Sequence, residues 1–163
     1  MKLPWRKVRM WKCYACGKCC IAYTPKLTYY EYLKMPEQFV MEKRGRYYIR
    51  KFGRRCPFQN RNLCMIQYSK PLSCRLFPFS VHRRGDERAL IEYGGEEYYV
   101  YVDPFCPNIT LGNPAKSLME KVIQAVKLVS GKEGDFSRLT CNIDFKNQFK
   151  LQSSNNYFLK AKR

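Results

Sequence analysis

The stretch CYACGKCC, residues 13–20, places four cysteines within eight positions. Three explanations compete for such a density: disulfide bonds, thiol redox chemistry or metal ligation. The first three cysteines form a C-x2-C-x2-C run, whose two-residue gaps let a tight turn direct successive sulfurs at one centre, and Gly17 suits such a turn. Because neighbouring sulfurs usually point in different directions, Cys19 and Cys20 either serve two centres or leave one of them outside the ligand shell. The stretch favours a metal and leaves the number of centres open.

Four further cysteines lie at positions 56, 64, 74 and 106, and the first and last of these precede a proline. Three closely spaced cysteines plus a Cys-Pro are similar to the ligands of a [4Fe–4S] cluster, although the Cys-Pro is distant here. Two zinc sites of four thiolates each would use the same sulfurs equally well. We therefore predict a metal centre, with [4Fe–4S] slightly favoured over zinc. The predicted ligands are Cys13, Cys16, Cys19, Cys20, Cys56, Cys64, Cys74 and Cys106.

Composition limits the class of protein. The 163 residues suit one domain, with 45% hydrophobic residues and 15% aromatic residues. An odd count of nine cysteines without a secretory signal argues against a secreted disulfide framework, and no apolar run is long enough for a transmembrane segment. We expect a cytoplasmic protein. No P-loop, Rossmann glycine motif or nucleophile elbow is present, so no common catalytic motif identifies an enzyme.

Local patterns predict an α+β fold: a small single domain with a short antiparallel sheet, several helices and loop-rich segments stapled by metal. Thr28 and Glu31 have capping-box spacing for one helix, and EQFVMEKRG, residues 37–45, suggests a second. Gly94-Gly95 separates two strand-like runs of a hairpin. The clearest helix spans 114–130. The face predicted to be buried comprises Leu118, Val122, Ala125, Val126 and Val129. Residues 1–131 form the predicted cysteine-cluster metal-binding domain, and 132–163 a C-terminal extension with a basic tail.

The segments CYACGKCC, CMIQYSKPLSCRLFPF from residue 64 and CPNITLG from residue 106 together resemble the YkgJ-type family of zinc- or iron-chelating cysteine-cluster proteins. The resemblance covers about residues 11–112 and eight of the nine cysteines. Lys70 stands where the family commonly has arginine, and Tyr68 lies one place later than the usual tyrosine. The resemblance implies metal binding. It leaves activity open, because members look like chelating or redox proteins and a similar cluster occurs in a flagellin lysine methylase.

A second signal is KRGRYYIRKFGRR, residues 43–55, which has seven basic residues and no acid. Lysine and arginine can neutralise phosphates, and exposed tyrosine can stack on bases. The formal net charge of +18, from 31 basic and 13 acidic residues, points the same way. We predict contact with RNA or a ribonucleoprotein. The candidate nucleic-acid-binding residues are Lys43, Arg44, Arg46, Tyr47, Tyr48, Arg50, Lys51, Arg54 and Arg55.

Three functional hypotheses remain open at this stage. The first is a metal-binding module whose basic surface docks on RNA. The second is an iron–sulfur redox or radical-type enzyme component, and the third is a lysine-methylase-like accessory protein. Arg75, directly after Cys74, is a candidate for hydrogen bonding to a ligand sulfur. His82 is the only histidine and is more typical of a surface position than of a ligand, and Cys141 is more typical of a buried free thiol.

Overall fold

The computed structural model describes residues 1–131 and 139–140. The described chain contains four α-helices and ten β-strands, joined by loops and 3₁₀ turns. The helices are α1 (Lys18–Ala22), α2 (Tyr29–Lys34), α3 (Leu72–Leu76) and α4 (Lys116–Ser130). The strands are β1 (Leu3–Pro4), β2 (Val8–Trp11), β3 (Val40–Lys43), β4 (Arg46–Ile49), β5 (Gln59–Asn60), β6 (Leu63–Cys64), β7 (Phe79–His82), β8 (Leu90–Tyr93), β9 (Glu96–Val102) and β10 (Ile109–Leu111).

Strand β9 is the centre of the largest sheet. It pairs antiparallel with β7 on one side, and with β8 and the short β1 on the other. The predicted turn at Gly94-Gly95 is confirmed, since β8 and β9 pair directly across it with Tyr93 opposite Glu96. Alternate residues of β9 from Tyr98 to Val102 are buried, as expected of a strand with one face on the core.

Helix α4 covers the buried face of this sheet. Leu118, Val122 and Ala125 are fully buried in one cluster with the tryptophans of the N-terminal segment. The helix begins at Lys116 rather than 114, because the preceding backbone continues the β2–β10 ladder: the Ala115 amide donates to the Arg9 carbonyl at 2.9 Å. Val129, expected on the buried face, is 39% exposed, and Leu128 is buried in its place.

The hairpin β3–β4 forms a second, smaller core. Val40 and Ile49 lie opposite each other on the two strands and are both buried. The expected helix over 37–45 is therefore wrong: Arg44 and Gly45 both take positive φ in a tight turn, and cross-strand burial outweighs helix propensity. The predicted capping box is confirmed, since Thr28 accepts from the Glu31 amide and the Glu31 carboxylate accepts from the Thr28 amide.

The predicted α+β class is confirmed, as one small domain with helices and short antiparallel sheets. Of the 132–163 extension, the structure describes only Leu139 and Thr140, which pack on this domain. Leu139 is buried in the main core, and the Thr140 hydroxyl donates to the Cys74 carbonyl at 2.6 Å. Within 1–131 and 139–140, every helix is too short or too polar to cross a bilayer.

Candidate metal centre

The cysteine-dense segment folds as a loop that runs into the short helix α1. Gly17 stands at the start of the helix with a left-handed φ of 71°, a conformation that favours glycine. Cys19 and Cys20 are neighbours on α1, so their side chains point about 100° apart. Their thiols still share a hydrogen bond, and this short segment supplies cysteines to two adjoining cavities.

The first of these is a small cavity, here called cavity one. Its cysteine lining is Cys13, Cys16, Cys19 and Cys106. Its volume is about 20 Å³, which is room for one water-sized body. The Trp11 indole Nε1 donates to the Sγ atom of Cys106 at 3.3 Å, a bond that favours a thiolate there.

The second cavity, here called cavity two, has a volume of about 30 Å³ and shares Cys19 with cavity one. Its cysteine lining is Cys19, Cys20, Cys56, Cys64 and Cys74. A backbone hydrogen bond of 3.1 Å from the Cys56 amide to the Cys20 carbonyl ties one of its loops to α1. Cys64 ends the β5–β6 hairpin and Cys74 lies in α3, so four separate segments meet at this cavity.

All eight cysteines predicted as ligands line at least one of the two cavities, and none of the eight is in a disulfide. Cys141, the ninth cysteine, lies outside the described residues. Within the described ranges, no three Cys, His, Asp or Glu side chains are grouped closely enough to hold one ion. The sulfurs thus share two cavities without forming a closed coordination shell, and their role as ligands stays a prediction.

The thiols influence one another electrostatically. A hydrogen bond from the Cys20 thiol lowers the pKa of Cys19 to about 7, and the same bond raises the pKa of Cys20. Burial raises the pKa of Cys74, with further contributions from the neighbouring thiols Cys64 and Cys56. Burial also raises the pKa of Cys106, to which Cys16 and Cys13 contribute. A cation among these groups would favour the thiolate forms, because it offsets their mutual repulsion.

The surroundings of a buried lysine bear on whether the cysteines of cavity two suit a metal. Lys70 lines this cavity and is 7% exposed. Its Nζ atom lies 3.4 Å from the Gln67 side-chain oxygen and 3.5 Å from the Thr140 carbonyl, at the limit of hydrogen bonding. Lys70 belongs to neither of the two ion pairs found in residues 1–131 and 139–140.

A buried ammonium is costly unless an anion compensates its charge. Four thiolates around a divalent ion carry a net charge of about −2, so a metal–thiolate centre would supply that anion. The environment of Lys70 therefore fits a thiolate-bound metal in cavity two. Lys70 also lowers the pKa of Cys74 against the larger effect of burial.

The two other candidates near the cysteines lie apart from the cavities. Arg75 is half-buried in α3, its backbone carbonyl accepts from the Leu139 amide at 3.0 Å, and it is not among the residues lining either cavity. Its proposed contact with a sulfur stays a prediction. His82 is an exposed residue of β7, and its ring meets Tyr101 edge-on at 5.7 Å.

The predicted nucleic-acid-binding residues lie on the β3–β4 hairpin and the loop after it. Six of the seven cations are exposed: Lys43, Arg44, Arg46, Arg50, Arg54 and Arg55. Lys51 is half-buried, and its Nζ atom donates to the Ile21 carbonyl. Tyr48 shares a shallow groove with Lys43, Arg44 and Arg46, whereas Tyr47 stacks on Tyr32 on the opposite face.

Comparison with family models matches residues 12–107 to the CxxCxxCC family, described as a "Putative zinc- or iron-chelating domain". That range is more than half of the chain and contains all eight cysteines that line the cavities. The chain belongs to the CxxCxxCC family. Metal chelation by this CxxCxxCC domain follows from the family description, and the description leaves zinc and iron as alternatives.

A curated relative of this CxxCxxCC protein is "Uncharacterized protein MJ0939" from Methanocaldococcus jannaschii. The two are 25% identical over 128 residues, which is 72% of this chain and 43% of the relative. The chain thus spans less than half the length of that protein. No solved structure matches the chain significantly.

Several residues around the cavities carry no signal that sequence reasoning could use. Trp11 and Thr140 are far in sequence from the cavity cysteines that they contact, which are Cys106 and Cys74 respectively. Lys70 did have a signal, its place directly before Pro71 in the cysteine motif. Its burial, however, becomes visible only when Thr140 packs beside it.

Proposed function

We propose that this protein holds two metal ions through four cysteine thiolates each. Cavity one would use Cys13, Cys16, Cys19 and Cys106, and cavity two would use Cys20, Cys56, Cys64 and Cys74. The observation that carries this proposal is that the eight cysteines line two adjoining cavities, which meet at Cys19. Closing four-thiolate sites in this way would staple loops that have little core of their own.

The size of the cavities favours single ions over an iron–sulfur cluster. Each has room for about one water-sized body, whereas a [4Fe–4S] cluster has eight heavy atoms and would require the cysteines to move apart. Four thiolates in a closed shell are typical of structural zinc. We therefore place zinc, or iron as a single ion, ahead of the cluster. Eight cysteines outside disulfides also suit a reducing compartment such as the cytoplasm.

Metal analysis of protein purified without oxygen tests the two-ion proposal. The wild type should contain two ions per chain. Cys106→Ser should lose the ion of cavity one and Cys56→Ser the ion of cavity two, and each variant serves as the control for the other. A brown protein with broad visible absorption would replace single ions by a cluster. Loss of all metal in both variants, with the fold intact by circular dichroism, would contradict two independent sites.

We further propose that the β3–β4 hairpin docks on RNA. Exposed cations surround Tyr48 in the groove formed with Lys43, Arg44 and Arg46, so phosphates and a stacked base could be bound together. No acidic residue lines this groove in the described chain. A metal in cavity two would stabilise the hairpin, since Cys56 belongs to the same small core as Val40 and Ile49.

RNA binding as a function of salt tests this second part. Affinity for a single-stranded RNA should fall steeply between 50 and 200 mM salt, because each neutralised phosphate releases a counterion (a slope of about −0.7 per contact). Arg54→Glu combined with Arg55→Glu should reduce both affinity and slope. Lys116→Glu, an exposed charge reversal at the start of α4, controls for a charge change outside the hairpin, and Arg54→Glu alone is the variant matched to it in charge. Absent or salt-independent binding would refute RNA docking and leave the metal proposal untouched.

A further inference from the structure

A large cleft lies between the β3–β4 hairpin, helix α3 and the edge of the main sheet. Its volume of about 670 Å³ is within the range of roughly 300–1,000 Å³ that small-ligand sites occupy. Neither the family description nor the candidate metal centre assigns it a role. It adjoins cavity two, with which it shares the lining residues Tyr23 and Phe77.

The floor and walls of the cleft are apolar and aromatic. Leu76, Phe77 and Phe79 form much of the buried surface. Tyr29 and Tyr47 stand at the hairpin side, with ring centroids 6.3 Å apart. These two rings could receive a flat aromatic group.

The two tyrosines differ in packing and exposure. Tyr47 is held in place because Tyr32 stacks on it at 3.8 Å with nearly parallel rings. Tyr29 is 64% exposed, so much of its side chain is accessible to a ligand. A packed ring beside an exposed one offers stacking surface to a base.

The charged residues of the cleft favour an anion. Lys2, Lys26 and Arg46 line it, with Asp103 as the only acid among its lining residues in the described chain. The Asp103 carboxylate is already engaged, since its Oδ1 atom accepts from the Phe105 amide at 3.0 Å. The three cations outnumber this one carboxylate, so the net charge of the lining residues is positive.

Helix α3 connects the cleft to cavity two. Leu72, Ser73 and Leu76 line the cleft, whereas Cys74 of the same helix lines the cavity. The Ser73 hydroxyl donates to the Lys26 carbonyl at 2.7 Å and so fixes the segment that carries one of the cations. A metal bound by Cys74 would therefore also fix the position of helix α3, which forms this wall of the cleft.

We propose that this cleft binds a nucleotide, with its base against Tyr29 and Tyr47 and its phosphate near Lys26, Arg46 and Lys2. The volume, the two aromatic rings and the positive charge match a nucleoside 5′-phosphate. Such a group can come from a free mononucleotide or from one residue of an RNA strand. The second source rests on the proposed RNA docking, and the first does not.

The experiment measures binding of AMP, adenosine and a short single-stranded RNA to metal-loaded protein by calorimetry. AMP should bind, and adenosine should bind at least about tenfold more weakly, because the phosphate pairs with the cations. Lys26→Glu and, separately, Tyr29→Ala should each weaken AMP by about tenfold. Both residues are exposed, so neither change should affect folding. Lys116→Glu is the charge-matched control and should bind AMP as the wild type does.

The outcomes separate this proposal from RNA docking. If AMP binds and Lys26→Glu weakens it while RNA does not bind, the cleft proposal stands and the source is a free nucleotide. If Lys26→Glu weakens both AMP and RNA, while the Arg54→Glu and Arg55→Glu pair weakens RNA alone, the RNA strand supplies the nucleotide. If AMP does not bind, or if neither cleft variant changes its affinity, the proposal is overturned.

Discussion

Replacement of Gly17 by alanine should open the contact between two cysteine-bearing segments. Gly17 has a φ of 71°, and a Cβ atom there would lie 2.7 Å from the Gln59 side-chain nitrogen and 2.9 Å from the Asn62 Cα atom. Gln59 also donates to the Gly17 carbonyl at 3.2 Å. The glycine thus holds the loop of cavity one against the β5–β6 hairpin that carries Cys64.

The cost has two parts. Alanine in the left-handed region costs about 1–2 kcal/mol. The added methyl group cannot be relieved by side-chain rotation alone, since one contact is with backbone, and overpacking of this kind costs about 1–3 kcal/mol. Gly53 isolates the first part, because its φ of 61° is similar and a Cβ atom added there would meet nothing within 4 Å.

Urea unfolding of the two variants measures the difference. With a denaturant slope of about 2 kcal/mol per molar, Gly17→Ala should unfold roughly 0.5–1.5 M below Gly53→Ala. Both must be measured at one metal concentration, because bound metal raises the midpoint. Gly17→Ala should also lose metal, whereas Gly53→Ala should retain it. Equal midpoints with equal metal content would refute the close-packing argument.

Two further predictions concern residues that line cavity two, namely the thiols of Cys19 and Cys74 and the ammonium of Lys70. In metal-free protein, the alkylation rate of Cys19 should increase with pH, with a midpoint near pH 7, because the thiol is protonated at lower pH. Cys74 should stay unreactive to higher pH, because burial raises its pKa. Equal alkylation rates of the two cysteines, measured by peptide mapping, would refute this ordering. Lys70→Met should weaken metal binding by about tenfold yet raise the melting temperature of the metal-free protein, since it removes a buried charge. Lys70→Arg should retain affinity, and an unchanged affinity in Lys70→Met would show that the ammonium does not compensate the centre.

Two predictions that depend on groups within three residues of each other agree with the structure. The capping box of Thr28 and Glu31 and the turn at Gly94-Gly95 involve groups within three residues of each other. Their geometry is fixed by short-range hydrogen bonds and backbone preference, which any fold must respect. The basic character of residues 43–55 was equally evident, because a count of charges needs no coordinates.

The same locality explains the wrong helix over 37–45. Helix-forming residues such as Glu42 and Lys43 gave a plausible pattern, but Val40 and Ile49 gain more by burial across a hairpin. The start of α4 was misplaced for a related reason, since the β2–β10 ladder holds the segment before Lys116 in extended form. In both cases a partner distant in sequence decided the local conformation.

The spacing of Cys13, Cys16 and Cys19 by itself predicted that this chain would bring thiols together, because two-residue gaps let successive sulfurs face one centre. Only the tertiary structure decided how they divide, since Cys106 reaches cavity one, and Cys56, Cys64 and Cys74 reach cavity two, through packing of distant segments. The burial of Lys70 and the cleft behind α3 arise in the same way. Each is a property of surfaces that meet after folding, and such surfaces have no signature in a short run of residues.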